Sequence, residues 1–369
     1  MSNYSIPFIG IARQYQDIRD EILDASDRAY QGGQVLDGTY TQMFERQMAA
    51  RCMRQYAVAV NSGTQALVFA QMATARSEGL ENVMIPGVSF VATLNSVLMA
   101  GNRPVYCDVD HNALLDIESI DYALDGNVDT IMYVNLFGNV LDYDRLLNVA
   151  RFFNDSVMII EDAAQSFGAT YNGIPSGKLG DVSVLSFDPT KNLPNYGSGG
   201  MILTDNYDVY QACLSLRDNG KIAGHDFAGT NSKMSEADCA QMLVKLKYFD
   251  SWQRRRAEIA DYYADNLTNW VDVLLPNPGV EHAWHKFVMR TGNRSQMQGY
   301  LASKGIETKI HYEQPLYEHP VGWDYIDYAR DLMRGSSAHA QETLSLPIYP
   351  EMQDLEVEQV VSSITSFLN

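Results

Sequence analysis

The sequence lacks the features that mark several large classes of protein. Its four cysteines, Cys52, Cys107, Cys213 and Cys239, show neither the paired spacing of a zinc site nor the density of a secreted disulfide scaffold. No run approaches the ~20 apolar residues that a membrane span needs. Because 27 basic residues stand against 46 acidic ones, a net charge of −19 works against nucleic-acid binding. We expect a cytoplasmic protein with buried thiols and with neither a membrane nor a nucleic-acid partner.

The chain is long enough for one large and one small folded domain, at 369 residues with 46% hydrophobic and 20% charged residues. Short apolar runs rich in β-branched residues alternate with helical patterns at 64–77, 90–99 and 143–153. This alternation is typical of an α/β fold with a mostly parallel sheet covered on both faces. Seven strands are predicted, at 56–60, 82–85, 104–109, 130–134, 156–160, 182–187 and 200–203.

The pattern changes after about Ser235 to long helical stretches at 240–246 and 254–267, of which the second is a plausible connector between domains. We predict a large domain over residues 1–245 and a smaller C-terminal α/β domain over 246–369, with the N-terminal segment packing on the small domain. The smaller domain should contain a strand at 287–289 and a closing helix at 355–367. The arginine run 254–256 is interpreted as a solvated helix face.

The segment SVLSFDPTKNLPNYGSGGMILT carries the most informative chemistry. A predicted strand ends there in a loop that bears Ser186 and Lys191, and a glycine-rich turn leads into the next strand. Ligands of open α/β sheets bind at the carboxyl ends of strands, where this lysine falls. Taken alone, however, a lysine in a loop is more often a solvated charge.

Two further segments favour a functional role for this lysine over a solvated charge. Asp162 ends the apolar strand in VMIIEDAAQSFGAT, where a carboxylate is costly without a cationic partner such as a pyridinium nitrogen; capping a helix or pairing with an arginine are the alternatives. In AVAVNSGTQAL a strand passes through Asn61, Ser62 and Gly63 directly into a helix, whose free amides can hold a phosphate. A lone turn of this kind is weak evidence, so the constellation of the three segments carries the argument.

This constellation resembles the DegT-type sugar aminotransferases, a family of fold-type I pyridoxal-phosphate enzymes in the aspartate aminotransferase superfamily. The resemblance covers nearly the whole chain and implies a large domain with a seven-stranded, mostly parallel sheet and a smaller C-terminal domain. The matching segments are IPF, FERQMA, NSGTQAL, PGVSFVAT, GNRPVYCDVD, EDAAQSFGATYNG, GKLGDVSVLSFDPTKNL, GTNSKMSE, GIETKIHY and LSLPIYP.

The resemblance implies a role for each matching residue around pyridoxal 5'-phosphate and its pyridoxamine form. Lys191 would form the Schiff base and then move a proton between substrate and cofactor. Asp162 would keep the pyridine nitrogen protonated, and Gln165 would bind the phenolic oxygen. Phe90 would stack on the ring, although a core phenylalanine is a serious rival interpretation.

The phosphate group would have partners from both subunits. Gly63 and Thr64 would offer backbone amides, and Ser186 would offer its hydroxyl. The resemblance implies that Asn231 reaches the phosphate from the other subunit, so that the active sites would lie at the interface of a homodimer.

Several positions depart from the family pattern and put the identity of the substrate in doubt more than the reaction. Gly197 is followed by Ser198 where an acidic residue is common, and Lys233 stands where an arginine usually follows the cross-subunit asparagine. Asn135 replaces a histidine near the substrate, and we keep it as a candidate substrate residue. Cofactor binding should survive these changes.

The histidines predict no metal site. His282 and His285 form a His-x-x-His pair in EHAWHKF, but no carboxylate-histidine pattern supports zinc. His311, in the segment GIETKIHY that closes over the substrate in the family, is a candidate substrate residue, and Lys309 is a candidate local positive charge. At least one positive pocket is needed in so acidic a protein if the substrate is a nucleoside-diphosphate sugar.

The leading prediction is an aminotransferase that moves an amino group from an amino acid, with glutamate the expected donor, to a keto-sugar. The expected acceptor is nucleotide-linked and aminated at C3 or C4 of a 3-keto- or 4-keto-6-deoxyhexose, for a surface polysaccharide or a glycoside. A cyclitol or an octulosonate-type sugar acid is an alternative acceptor. A pyridoxamine-dependent sugar dehydratase is disfavoured because the resemblance implies a histidine in place of Lys191 there. A non-catalytic regulatory or sugar-binding protein on the same fold stays open.

Overall fold

A computed structural model describes residues 4–75, 80–120, 128–225, 228–326 and 329–369. Its strands, in chain order, are β1 Tyr56–Val60, β2 Asn82–Pro86, β3 Arg103–Cys107, β4 Thr130–Val134, β5 Met158–Asp162, β6 Thr170–Tyr171, β7 Ile174–Pro175, β8 Val182–Ser186, β9 Gly200–Thr204, β10 Asp272–Val273, β11 Val280–Glu281, β12 Phe287–Arg290 and β13 Thr343–Leu346.

Helices fill much of the rest of the described chain. The α-helices are α1 Ile11–Gln31, α2 Thr39–Arg51, α3 Gly63–Thr74, α4 Ala92–Met99, α5 Tyr143–Phe153, α6 Tyr207–Arg217, α7 Glu236–Leu267, α8 Arg294–Ser303, α9 Arg334–Glu342 and α10 Asp354–Leu368. Single 3-10 turns occupy Leu136–Gly138, Lys221–Ala223, Leu316–Glu318, Trp323–Tyr325 and Ala329–Leu332.

The seven long strands of the first part of the chain form one sheet in the order β1-β9-β8-β5-β4-β2-β3. Only β9 runs against its neighbours, β1 and β8, while the remaining pairs are parallel. All seven strands predicted from the sequence lie in this sheet, which confirms the predicted α/β class with a mostly parallel sheet. Because six strands run the same way, their carboxyl ends meet at one edge.

The sheet is covered on both faces. In β2, Val83 and Ile85 join the hydrophobic cluster that contains Phe69 of α3, whereas Met84 joins the cluster that contains Leu146 of α5. Successive strand residues point to opposite faces, so an apolar run with little polar interruption is what a doubly covered strand requires. β4, with the sequence TIMYV, is buried at every position.

Several predicted bounds differ from those observed. β3 ends at Cys107 rather than at residue 109, because the carboxylate of Asp108 turns to the start of α9, where it accepts hydrogen bonds from the amides of Gly335 (2.8 Å) and Ser336 (2.7 Å). The first predicted helix begins one residue earlier, at Gly63, and Ser77 at its predicted end lies outside the described residues. The two helical stretches predicted after Ser235 form one continuous helix, α7.

The C-terminal part of the chain has its own core. The end of α7, which supplies Ile259, Tyr263 and Leu267, packs with residues of β12, β13, α8 and α10. Its sheet has the order β10-β12-β13. Ile6 belongs to this core and pairs with Ile306 in a parallel bridge. The strand predicted at 287–289 and the helix predicted at 355–367 are confirmed as β12 and α10.

In the arginine run on α7, Arg254 is exposed as the sequence predicts, but Arg256 is not part of a solvated face. Arg256 is buried, and its guanidinium donates to the carbonyls of Ile348 (2.8 Å) and Trp284 (3.2 Å). Long side chains can bury their charge where backbone carbonyls replace water. The four cysteines are buried free thiols, as predicted. Within the described ranges, none of the helices has the length and apolar character to cross a membrane.

Candidate active site

A cavity of about 570 Å³ opens at the edge where the parallel strands end. Val134, Asp162 and Ser186 line it from the last positions of β4, β5 and β8. The start of α3 and the Lys191 loop close one side, and residues 307–312 close another. Its size is in the range of cofactor and substrate sites, about 300–1,000 Å³.

The start of α3 forms the predicted phosphate cradle. Ser62 caps the helix, because its hydroxyl accepts a hydrogen bond from the amide of Gln65 at 3.1 Å. A Cβ atom on Gly63 would lie 2.8 Å from the Cβ of Ser186, and one on Gly200 would lie 2.4 Å from the carbonyl of Ser62. Glycine at both positions therefore lets the helix start lie directly against the end of β8 and the start of β9.

Gly63, Thr64 and Ser186 accordingly meet in one corner of the cavity. A helix N-terminus offers unpaired amides and a positive dipole end, and a neighbouring hydroxyl adds a further donor. This corner is suited to a phosphate group.

Asp162 is a buried carboxylate at the end of β5. One oxygen accepts the amide of Ala164 at 3.0 Å, and the Thr93 hydroxyl is a further donor. Burial nevertheless raises the pKa of Asp162 to about 6, against the opposing effects of these hydrogen bonds and of the Lys191 charge. The carboxylate thus lacks full compensation in the protein alone, and a cationic ring nitrogen would supply it.

Lys191 lies in the loop that follows β8, and its backbone amide donates to the carbonyl of Asp188 at 2.9 Å. Among the described residues, its side chain has no hydrogen bond or ion pair. Burial lowers the pKa of its amine, against the attraction of Asp162 and Asp188. A lysine with a lowered pKa is a better nucleophile near neutral pH. Lys191 is partly exposed, but it lines the cavity, so it is not the fully solvated loop charge of the alternative interpretation.

Phe90 is not a core residue. Its side chain is 51% exposed and lines the cavity, with its ring centroid 6.0 Å from that of Tyr312. An exposed aromatic ring at the wall of the cavity is suited to stacking on a flat ligand.

Gln165 is fixed by a hydrogen-bond network across the cavity floor. Its Oε1 accepts from the amide of Phe137 at 3.1 Å and lies 3.1 Å from Nδ1 of His285. Its Nε2 donates to the Tyr312 hydroxyl at 3.1 Å. Burial lowers the pKa of His285 well below its usual range, so the ring is neutral and only one of its nitrogens carries a proton.

The segment 307–312 brings the two candidate substrate residues to the cavity. His311 contacts the Ser345 hydroxyl through Nδ1 at 2.8 Å, and burial lowers its pKa well below the usual range. Lys309 is exposed and pairs with Glu307 at 2.8 Å. Glu307 also accepts the amide of Phe8 at 2.9 Å, which holds the N-terminal segment against this wall.

Asn135 does not line the cavity, contrary to its assignment as a substrate residue. Its side chain is 0% exposed, and its Nδ2 donates to the buried carboxylate of Glu161 at 2.9 Å while its Oδ1 accepts the amide of Leu141 at 3.0 Å. A short amide that satisfies a buried carboxylate cannot also reach the cavity. The sequence pattern of strand and following turn does not reveal this pairing.

Asn231 is exposed and lies outside the cavity of its own chain. The carbonyl of the next residue, Ser232, accepts the amide of Asn61 at 2.8 Å, which places the segment beside the start of α3. Lys233 is paired with Asp218 and lies 3.8 Å from Asp37. The side chain of Asn231 is thus exposed near the start of α3 but does not line the cavity of its own chain.

The residues that line the cavity without being predicted from the sequence include Phe8, His285, Lys286, Glu307 and Tyr312. Phe8, Glu307 and Tyr312 belong to the matching segments IPF and GIETKIHY, so the resemblance to the family is a sequence signal for their place in the site. His285 and Lys286 lie in EHAWHKF, which is not among the matching segments, so the resemblance gives no signal for them.

The sequence matches the DegT/DnrJ/EryC1/StrS aminotransferase family over residues 16–365. The chain belongs to this family. It is 32% identical to the dTDP-3-amino-3,6-dideoxy-alpha-D-galactopyranose transaminase of Aneurinibacillus thermoaerophilus, over 98% of this chain and 99% of that protein. It is 30% identical to the "Pleiotropic regulatory protein" of Geobacillus stearothermophilus, over 98% of both chains.

Solved structures show the same fold. The structure of S. venezuelae DesV in complex with a ketimine intermediate superposes with a TM-score of 0.94, covering 99% of this chain and 98% of that one at 29% identity. Bacillus subtilis ntda with bound pyridoxamine phosphate has a TM-score of 0.90 at 26% identity, over 100% of this chain and 86% of that one. The predicted fold type and the pyridoxal-phosphate dependence of the family are confirmed.

The residues of this cavity fit pyridoxal phosphate. The corner of Gly63, Thr64 and Ser186 suits the phosphate, and the incompletely compensated carboxylate of Asp162 suits a protonated ring nitrogen. Lys191, whose amine has no partner among the described side chains, suits covalent attachment of the aldehyde.

Proposed function

We propose that this protein is a pyridoxal-phosphate-dependent aminotransferase that moves an amino group from an amino acid, expected to be glutamate, to a nucleotide-linked keto-sugar. The observation that carries the proposal is the presence of Lys191 and Asp162 in one cavity with the helix-start cradle of Gly63. A binding protein would need the cradle but not a lysine with a lowered pKa. The transaminase named above supports a sugar acceptor.

The roles follow from the side chains. Lys191 would hold the cofactor covalently and, once released by the donor, carry a proton between the substrate carbon and the cofactor. Asp162 would keep the ring nitrogen protonated, while Gln165 and Phe90 would orient the ring by a hydrogen bond and by stacking. When bound, the cofactor supplies the electron sink on which the proton transfers at the substrate depend.

We further propose a homodimer in which Asn231 of each subunit completes the phosphate site of the other. Support comes from the exposure of Asn231 on a segment anchored at Asn61, next to the cradle. The proposed domains remain 1–245 and 246–369, with the residues around Ile6 packing on the smaller one. Free buried thiols are consistent with a cytoplasmic location.

The experiment is a pair of half-reactions followed by absorbance. The purified protein with pyridoxal phosphate should be yellow and should lose that colour when glutamate converts the cofactor to its amine form. A panel of acceptors should then restore the colour: 3-keto and 4-keto nucleotide sugars, a keto-cyclitol and a keto-octulosonate. The acceptor that restores it fastest identifies the substrate class.

Lys191→Ala is the matched control, because it keeps the cavity but lacks the amine. If no amino acid removes the colour of the wild-type protein, the protein is not an aminotransferase. This outcome would favour the regulatory alternative, which the name of the Geobacillus relative suggests.

A further inference from the structure

Lys286 is a buried lysine at the wall of the cavity. Its side chain is only 6% exposed, yet it is among the residues that line the cavity. Its backbone amide is satisfied by the carbonyl of Phe137 at 3.1 Å, which fixes the residue just before β12. The fold thus fixes the backbone at Lys286, and the residue is largely shielded from solvent.

The ammonium group of Lys286 has no anionic partner among the described residues. Its Nζ lies 4.7 Å from the centroid of the Phe8 ring, and no hydrogen bond or ion pair of the side chain is found within the described part of the chain. The face of an aromatic ring can attract one side of an ammonium group, but it is a weaker hydrogen-bond acceptor than an oxygen atom for the three N–H donors of that group. At least two donors are left for a ligand.

The surroundings of Lys286 are electropositive. Burial lowers the pKa of its ammonium group well below the usual range, and the charges of Lys191 and Arg256 lower it further, while Asp188 acts in the opposite direction. The other carboxylate of this wall, Glu307, is already paired with Lys309 and with the amide of Phe8. Three basic side chains thus lie close together here, and a bound anion would favour the charged form of Lys286.

A structural role alone does not explain this arrangement. A buried ammonium group costs free energy unless an opposite charge compensates it, and an apolar side chain of similar length would pack on Phe8 without that cost. The neighbouring buried cation, Arg256, shows what a structural solution looks like, because its guanidinium is bonded to two backbone carbonyls. Lys286 has no such acceptors and faces a cavity that admits ligands.

We propose that Lys286 binds a carboxylate group of a substrate in the cavity. The inference rests on the proposed function and specifies the charge of what enters the site. The carboxylate has two possible sources, the amino-acid donor or an acidic sugar of the uronate type. Lys286 would be a specificity-determining residue that contacts the substrate at a distance from the reacting carbon.

The test compares three variants of the holoenzyme: Lys286→Met, Lys286→Gln and Lys286→Arg. Lys304→Met is the matched control. The Nζ atom of Lys304 also lies over an aromatic ring, 5.2 Å from the centroid of the Tyr300 ring, but Lys304 is exposed and does not line the cavity. Cofactor content and the midpoint of thermal unfolding show which variants are folded, and Lys286→Gln replaces Lys286→Met if the latter is not.

The first arm measures the apparent Kd of L-glutamate from the loss of yellow colour. The second measures by calorimetry the Kd of UDP-glucuronate and of UDP-glucose, which differ in one carboxylate. A charge-assisted hydrogen bond to a buried site corresponds to about 10-fold to 100-fold in Kd. If Lys286 binds the carboxylate of the amino-acid donor, Lys286→Met raises the Kd of glutamate by this factor. If Lys286 binds the carboxylate of an acidic sugar, Lys286→Met removes the preference of the protein for UDP-glucuronate over UDP-glucose. Lys286→Arg should retain binding in the affected arm.

Unchanged binding in both arms would overturn the proposal, and so would an equal loss in Lys304→Met. Failure of the wild-type protein to lose colour with any amino acid would contradict the aminotransferase function instead. The calorimetric arm would then still decide whether Lys286 binds a carboxylate.

Discussion

The side-chain amide of Gln165 donates a hydrogen bond to the hydroxyl of Tyr312 across 3.1 Å, although 147 residues separate the two in the chain. Gln165 follows the end of β5, whereas Tyr312 belongs to the segment after α8 that pairs with β13 through Lys309. This hydrogen bond joins the sheet edge that carries Asp162 to the opposite wall of the cavity. It therefore couples the orientation of Gln165 to the position of residues 307–312.

We expect Tyr312→Phe to lower kcat/KM by about 3-fold to 10-fold, as the loss of one neutral hydrogen bond predicts, without loss of cofactor. Gln165 would keep its contacts with Phe137 and His285 but lose the partner that fixes its Nε2. The measurement is steady-state kinetics together with the absorbance of bound cofactor. A variant with wild-type kinetics would show that the hydrogen bond has no part in orienting Gln165.

Lys191→Ala should lower transamination by more than about 100-fold, because it removes the group proposed to carry the proton. The fold should survive, since the Lys191 side chain makes no hydrogen bond or ion pair with the described residues. Borohydride reduction of the wild-type holoenzyme, followed by peptide mapping, checks the attachment site. Recovery of the reduced cofactor on another lysine would show that the assignment is wrong.

Asp162→Asn should retain some cofactor but lose most activity, because a neutral amide cannot keep the ring nitrogen protonated as a carboxylate does. Absorbance of the bound cofactor and the rate of the glutamate half-reaction are the measurements. Near-normal turnover would remove Asp162 from the catalytic residues.

Although Asp162→Asn should lower activity, it should raise the free energy of unfolding of the cofactor-free protein. Burial raises the pKa of Asp162 to about 6. Since this exceeds the ~4 of an unfolded aspartate, the folded state holds the proton more tightly, and its stability falls as the pH rises from about 4 to about 6. At pH 7.5 the ionised carboxylate should cost about 2 to 3 kcal/mol, which Asp162→Asn removes.

Urea unfolding of both cofactor-free proteins at two pH values measures this effect. The variant should be the more stable at pH 7.5, and the difference should nearly vanish at the lowest pH at which both remain folded. Addition of pyridoxal phosphate should reverse the order at pH 7.5, because only the wild-type carboxylate gains a cationic partner. A pH-independent difference in stability would show that the charge of Asp162 is not the cause.

Asn231→Ala should weaken cofactor retention, and a mixed dimer with Lys191→Ala should show to which site the residue belongs. If Asn231 serves the partner's phosphate, one site of the mixed dimer carries both lesions and the other carries none. The mixture should then recover more activity than either homodimer shows. Activity after subunit exchange, with exchange confirmed by differently tagged chains, is the measurement.

The homodimer of each variant is the control in this experiment. Exchange without any recovery would mean that Asn231 acts in its own chain or does not contact the cofactor.

The sequence by itself determined the sheet. All seven strands were predicted because doubly covered strands are continuous apolar runs, whose signal is local and does not depend on the partner strand. The same holds for the cradle, since the passage of a strand through Asn61, Ser62 and Gly63 directly into a helix is a local pattern. The order of Gly63, Asp162 and Lys191 along the chain was visible as well, and their convergence follows from the common direction of the strands.

Only the tertiary structure decided where isolated polar side chains lie. Asn135 follows a strand that ends at the cavity, yet it bonds to Glu161, and nothing in the local sequence specifies that distant pairing. Arg256 lies on an apparent surface helix but is buried, because the carbonyls of Trp284 and Ile348 come to it from other parts of the chain. Lys286 is the converse case, a lysine that the fold buries at the cavity without an anionic partner among the described residues. Backbone propensity and apolar periodicity are local properties, whereas the partner of a buried charge is set by contacts between residues far apart in sequence.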